Sequence, residues 1–116
     1  MKVIIAGGRD YVFVKTDGLI LESLHLSNRF TEIVSGGCSG ADENGELFAV
    51  THKLPIKYFN ADWKLYGKSA GPIRNKLMAE YADAIILFPG GKGTASMRAE
   101  AKKAELEILY DAENEK

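Results

Sequence analysis

Val3-Ile4-Ile5-Ala6 runs straight into Gly7-Gly8-Arg9-Asp10, and the reading of this stretch decides the fold. Its four apolar residues do not alternate with polar ones, so both faces of the segment need burial. A buried helix can mimic such a run, but this one is too short and stops at glycine. Strands that read this way belong to parallel sheets covered on both faces by helices. Ala84-Ile85-Ile86-Leu87-Phe88 repeats the pattern and stops at Pro89-Gly90. Ile33–Ser35, Ile56–Phe59 and Leu106–Tyr110 supply three shorter strand candidates.

Helical spacing fills the intervals. Asp17 is placed to cap a segment that sends Leu21, Leu24 and Leu26 toward a core before Phe30. Ala41–Lys53 sets Phe48, Ala49 and His52 on one side and Leu47, Val50 and Leu54 on the adjoining one. Pro72 suits the first turn of a helix in which Ile73, Leu77, Met78 and Tyr81 recur. Thr94 or Ser96 can open a last helix lined by Met97, Ala101 and Ala104. Tyr11–Lys15 reads as a loop with apolar anchors. Alternating strand and helix predict βαβ units, and right-handed crossovers reduce the topology to a Rossmann-like α/β doubly wound sheet. Five mainly parallel strands in the order 3-2-1-4-5, with helices on both faces, are expected. One domain spans 1–110, and Asp111–Lys116 reads as a charged tail.

Three strands end in glycine-rich turns: Gly7-Gly8-Arg9-Asp10, Gly36-Gly37-Cys38-Ser39-Gly40-Ala41-Asp42 and Pro89-Gly90-Gly91-Lys92-Gly93-Thr94. In an open parallel sheet, ligands bind beyond the carboxyl ends of the strands, where strand order reverses. Bare backbone can approach a ligand closely, and helix N-termini offer unpaired N–H groups and partial positive charge. Ser35, Ser39 and Thr94 add hydroxyls, while Arg9, Arg74 and Lys92 add charge. Asp10 and Asp42 can accept ribose hydroxyls or cap their own turns. After the third strand, Trp63 can stack a base or pack its loop, and Arg74-Asn75 at a helix start can grip phosphate or ribose. Known phosphate loops fail on spacing. Gly67-Lys68-Ser69 has Asp62 where a Walker A loop needs glycine, and Ser35 stands where the dinucleotide fingerprint needs one.

The remaining polar residues narrow the chemistry. His25 and His52 have no partners at metal-ligand spacing, and no metal or separate cofactor is expected. Cys38 is the single cysteine, so an internal disulfide is excluded and a reducing compartment fits. With 116 residues, 46% hydrophobic and 27% charged, the chain is an ordinary one-domain length and composition. Net charge of −1 argues against a broad nucleic-acid or membrane surface. No apolar run approaches a membrane span or a signal peptide, so a cytoplasmic protein of a bacterium or its phage is expected.

GGRD, SGGCSGAD, ADWKLYGKSAGPIRN and FPGGKGTASM occur here in that order. Together they resemble the SLOG superfamily of Lonely Guy phosphoribohydrolases and DprA-like proteins, in particular its YspA/YpsA-related branch. The resemblance covers nearly the whole chain and implies a Rossmann-like fold, a nucleotide or NAD-derived ligand and a homodimer. Lonely Guy enzymes cleave an N-glycosidic bond with a helix-start arginine and the glutamate of PGGxGTxxE. Arg74 matches that arginine, but Met97 occupies the glutamate position. Glu100 lies one turn further on, displaced by about 4–5 Å at 1.5 Å rise per residue, which is severe for chemistry that depends on positioning. A binding module acting as sensor, sequestering protein or regulator is therefore preferred. An N-glycosidase using Arg74 and Glu100 or Asp42 comes second, and a nucleic-acid binder of DprA type third.

Overall fold

In the computed structural model, residues 1–37 and 40–113 are described. Five strands form one parallel sheet: β1 (Lys2–Ala6), β2 (Glu32–Ser35), β3 (Ile56–Tyr58), β4 (Ala84–Leu87) and β5 (Glu107–Asp111). Their order is β3-β2-β1-β4-β5, as expected. Ile4 sits opposite both Val34 and Ile85, and Ala6 reaches level with Leu87, so β1 and β4 end together at one rim.

The unbroken apolar runs are explained by the two cores they serve. Val3, Ile5, Ile33, Ala84, Ile86 and Phe88 point to one face, where α1 (Lys15–Asn28) and α2 (Ala41–Thr51) supply Leu21, Phe48 and Ala49. Ile4, Ala6, Val34, Ile85 and Leu87 point to the other. There α4 (Ala70–Tyr81) and α5 (Lys92–Lys103) bring Met78, Ala79, Met97 and Ala101. Each large side chain buried this way contributes about 1.5–3 kcal/mol. A short helix, α3 (Trp63–Tyr66), and the 3₁₀ turn Gly67–Ser69 lead into α4. Among the described residues, no helix is long and apolar enough to cross a membrane.

Several local expectations shift. Asp17 is not the cap of α1 but its third residue, and its carboxylate reaches back to the Val14 N–H at 2.9 Å. The same oxygen accepts the Tyr11 hydroxyl at 2.7 Å. Burial first, and then that carboxylate, push the Tyr11 phenol up to about 12, so it remains a donor. Tyr11 and Phe13 lie on Phe88, with ring centroids 6.0 and 4.6 Å away. They cover part of the sheet that α1 and α2 leave open, as apolar loop anchors should. Leu26 is 85% exposed rather than core-facing, and Leu47, Val50, Leu77 and Ala104 also face outward. The 3.6-residue spacing was too coarse to separate the edge of an apolar stripe from its centre. Helix α5 opens at Lys92, two residues before Thr94, because Gly91 takes the N-cap place.

β5 runs one residue into the stretch read as a charged tail. Asp111 is buried, and Arg98 of α5 grips both its oxygens, Nε at 2.8 Å and Nη2 at 2.9 Å. That guanidinium holds the Asp111 carboxyl below its ordinary value of 3.8. A carboxyl depressed in the folded chain stabilises fully above its unfolded value, and this contribution is lost as pH falls through the folded one. Asp111→Asn should therefore cost about 3 kcal/mol near neutral pH. Urea titrations of both proteins should show the gap narrowing below about pH 4; a constant gap down to pH 2 would refute the assignment.

Candidate functional site

Three turns meet at the rim where β1 and β4 end, and Gly8 is their junction. Its N–H donates to the Pro89 carbonyl at 2.8 Å, and its own carbonyl accepts the Ala41 N–H at 3.3 Å. The β1 turn is thus held between the start of α2 and the loop before α5. No side chain can intrude there. A Cβ on Gly90 would stand 2.0 Å from Thr94 Oγ1 and 2.7 Å from the Gly8 nitrogen. A Cβ on Gly40 would stand 2.2 Å from the Gly8 carbonyl oxygen, and Gly40 also has φ of +73°, a backbone region that disfavours side chains.

A cavity of about 360 Å³ opens beside this junction. Gly7, Gly8 and Arg9 line it from the β1 turn, and Gly36 and Asp42 from the β2–α2 connection. Arg74 and Asn75 come from α4, and Gly91, Gly93 and Thr94 from the start of α5. Cβ atoms on Gly91 or Gly93 would meet nothing within 4 Å, so these two glycines face open space. The floor is apolar, made by Ala6, Met78 and Met97. No sequence motif marks Ala6 or Met78; their signal is only that inward positions of β1 and α4 point at the same rim.

Two polar groups in this cavity stand out by what they lack. Arg74 donates through Nη1 to the Gly36 carbonyl at 2.8 Å and through Nε to Asn75 Oδ1 at 2.9 Å. Among the described residues no carboxylate pairs with it. Asn75, itself buried, sends Nδ2 to Ser96 Oγ at 3.3 Å. Thr94 is 5% exposed, and none of the hydrogen bonds among the described residues engages its hydroxyl. It stands in the first turn of α5, which carries no acidic residue and no side-chain cap. The start of α5, a guanidinium without a salt-bridge partner among the described residues and the Thr94 hydroxyl thus belong to one cavity.

Other expected site residues lie elsewhere. Ser35 is buried, donates to Glu46 Oε2 at 2.8 Å and accepts the Gly37 N–H at 3.1 Å. Gly37, Gly40, Pro89 and Gly90 shape the turns without lining the cavity. Asp10 and Lys92 are exposed outside the lining. Trp63 is 52% exposed and lies off the cavity, 3.4 Å from where a Cβ on Gly71 would stand. Glu100 turns to Lys103 Nζ at 3.3 Å rather than into the cavity. Ser39 and Cys38 lie outside the described residues. Among the described residues, no group of three His, Cys, Asp or Glu side chains is arranged to hold a metal ion.

Fold and rim together define a Rossmann-like domain of the kind found in DNA-processing protein A. The structure of DprA from Streptococcus pneumoniae matches 92% of this chain with a TM-score of 0.70 at 17% identity. The chain spans 48% of that protein, and the likeness is one of fold. No family model matches the chain. The Gene 61 protein of Mycobacterium phage D29 is 34% identical over 122 residues, covering 93% of this chain and 94% of the phage protein. The chain belongs to the family of that phage protein.

The glycines of the rim should separate by experiment. Gly40→Ala should cost about 2 kcal/mol or more in urea unfolding, since strain and overlap act together. Gly91→Ala should stay within about 0.5 kcal/mol of wild type. Equal losses at both positions would show that the turns do not meet as described.

Proposed function

We propose that this cavity binds a phosphorylated nucleotide or nucleotide-derived molecule, with its phosphate at the start of α5, and that the protein works as a sensor, sequestering protein or regulator. The observation that carries this reading is Arg74, a half-buried guanidinium facing a cavity without a carboxylate partner. Its remaining donors are open to a phosphate, which a guanidinium binds with charge-assisted hydrogen bonds. Thr94 and the open amides of α5 complete the anion's surroundings, and the apolar floor suits a ring or ribose edge. The cavity lies within the usual size range for a small-molecule site.

Chemistry beyond binding has little support. Met97 forms part of the floor where the glycosidase motif carries glutamate, and a thioether neither takes a proton nor stabilises a developing cation. Glu100 is paired outside the cavity. The neighbour's name, DNA processing protein, favours a nucleic-acid phosphate as a second reading. The net charge of −1 and the cavity volume of about 360 Å³ favour the small ligand instead. Membership of the YspA/YpsA-related branch and a homodimer belong to the same proposal and rest on the motifs alone; a cytoplasmic setting rests on the single cysteine and the short apolar runs.

Calorimetry against AMP, ADP-ribose, cyclic ADP-ribose, NAD and cyclic dinucleotides tests the reading, with a labelled single strand as the rival. At least one phosphorylated small molecule should bind. Arg74→Ala should then weaken it roughly tenfold or more. Gly91→Leu should abolish binding while leaving thermal unfolding nearly unchanged, because its side chain enters open space. Silence from every phosphorylated small molecule would sink the proposal.

A further inference from the structure

We infer that Asp42 makes this cavity selective for a ligand that carries hydroxyl donors beside its phosphate, so that ribonucleotides are accepted and dideoxy counterparts refused. The inference rests on the phosphate-site reading and concerns the opposite wall. Asp42 is the one carboxylate among the described lining residues. A Cβ on Gly36 would stand 2.7 Å from Arg74 Nη1 and 3.1 Å from Asp42 Oδ2, so the two charged groups are near neighbours. Among the described residues the two form no salt bridge with each other, and Asp42 keeps a partner of its own. Arg74 is tied back by the Gly36 carbonyl and by Asn75, and Asp42 is fixed in the first turn of α2. Opposite charges held close but out of contact bracket a gap with an anion-seeking side and a donor-seeking side.

The two helix starts at this rim differ in the same sense. Helix α5 has no acid in its first turn, whereas α2 carries Asp42 and Glu43 there. The Ala41 N–H of α2 is already given to the Gly8 carbonyl. A phosphate is therefore drawn to α5 and repelled from α2, and the α2 side is left to groups that donate hydrogen bonds. An ionised carboxylate offers about four lone-pair positions, so Asp42 can keep a partner within the chain and still accept a sugar hydroxyl. Vicinal ribose hydroxyls are donors of the right kind. A second phosphate is not.

The experiment compares AMP, GMP, CMP and UMP with their 2′,3′-dideoxy forms on wild type, Asp42→Ala and Asp42→Asn, with inorganic phosphate as competitor. For whichever ribonucleotide binds wild type, the dideoxy form should bind roughly tenfold or more weakly. In Asp42→Ala that ratio should fall toward one, while competition by inorganic phosphate is kept or strengthened. Asp42→Asn, which retains an uncharged acceptor, should fall between and serves if the alanine variant does not fold. Wild type that binds ribo and dideoxy forms alike, or a ratio that survives in Asp42→Ala, overturns the role of Asp42 and leaves the phosphate site standing. If only ADP-ribose or NAD binds wild type, Asp42→Ala should weaken it roughly tenfold, and an unchanged affinity overturns the role of Asp42; if no phosphorylated small molecule binds at all, the phosphate site falls and Asp42's role with it.

Discussion

The peptide groups of Gly8 hold this rim together. One amide and one carbonyl tie the end of the central strand to the Pro89 turn on one side and to the start of α2 on the other. Backbone hydrogen bonds of this kind contribute only about 1 kcal/mol each, so their importance is geometric. They set two helix N-termini against a single strand end, at a spacing that side chains on Gly7, Gly40 or Gly90 would not permit. The cavity is the space left beside that contact. Its position follows from strand order, since β1 and β4 are neighbours whose helices leave on opposite faces of the sheet.

Much of this was legible in the sequence because parallel strands buried on both faces leave an unmistakable pattern. Val3–Ala6 and Ala84–Phe88 have no polar side because alternate residues enter different cores. Strand order followed from the handedness of crossovers, not from any residue. What could not be read was which way individual side chains turn at the margins. Leu26 and Leu47 share helical spacing with truly buried neighbours, yet each lies beyond the edge of its helix's packed stripe. Asp17 carries the chemistry of a cap, but its carboxylate serves the chain end from inside the helix.

The site shows the same division. Glycines at strand ends were rightly taken as one cluster, but sequence could not divide those that let turns touch from those that leave room. Gly90 belongs to the first kind, Gly91 to the second. Ser35 looked like a ligand hydroxyl, whereas burial at the end of β2 gives it Glu46 as a partner. Met78 and Met97 went unread as floor residues because methionine at helical spacing signals core, and here the core surfaces at the cavity.

That floor bears on what the protein can do. An apolar base beneath a fixed cation favours holding a ligand over transforming it, since general acid–base work needs a titratable group at the reacting bond. Met97 lies at the start of the sheet-facing side of α5 and is 3% exposed. A carboxylate put there would join Met78 and Ala6 in a cavity that Arg9, Asp42 and Arg74 also line. Such a group would add a negative charge to the cavity and weaken its attraction for any anion. In this chain the methionine adds no carboxylate to the cavity that Arg74 lines. An apolar floor and an arginine without a salt-bridge partner among the described residues are thus two sides of one physical arrangement.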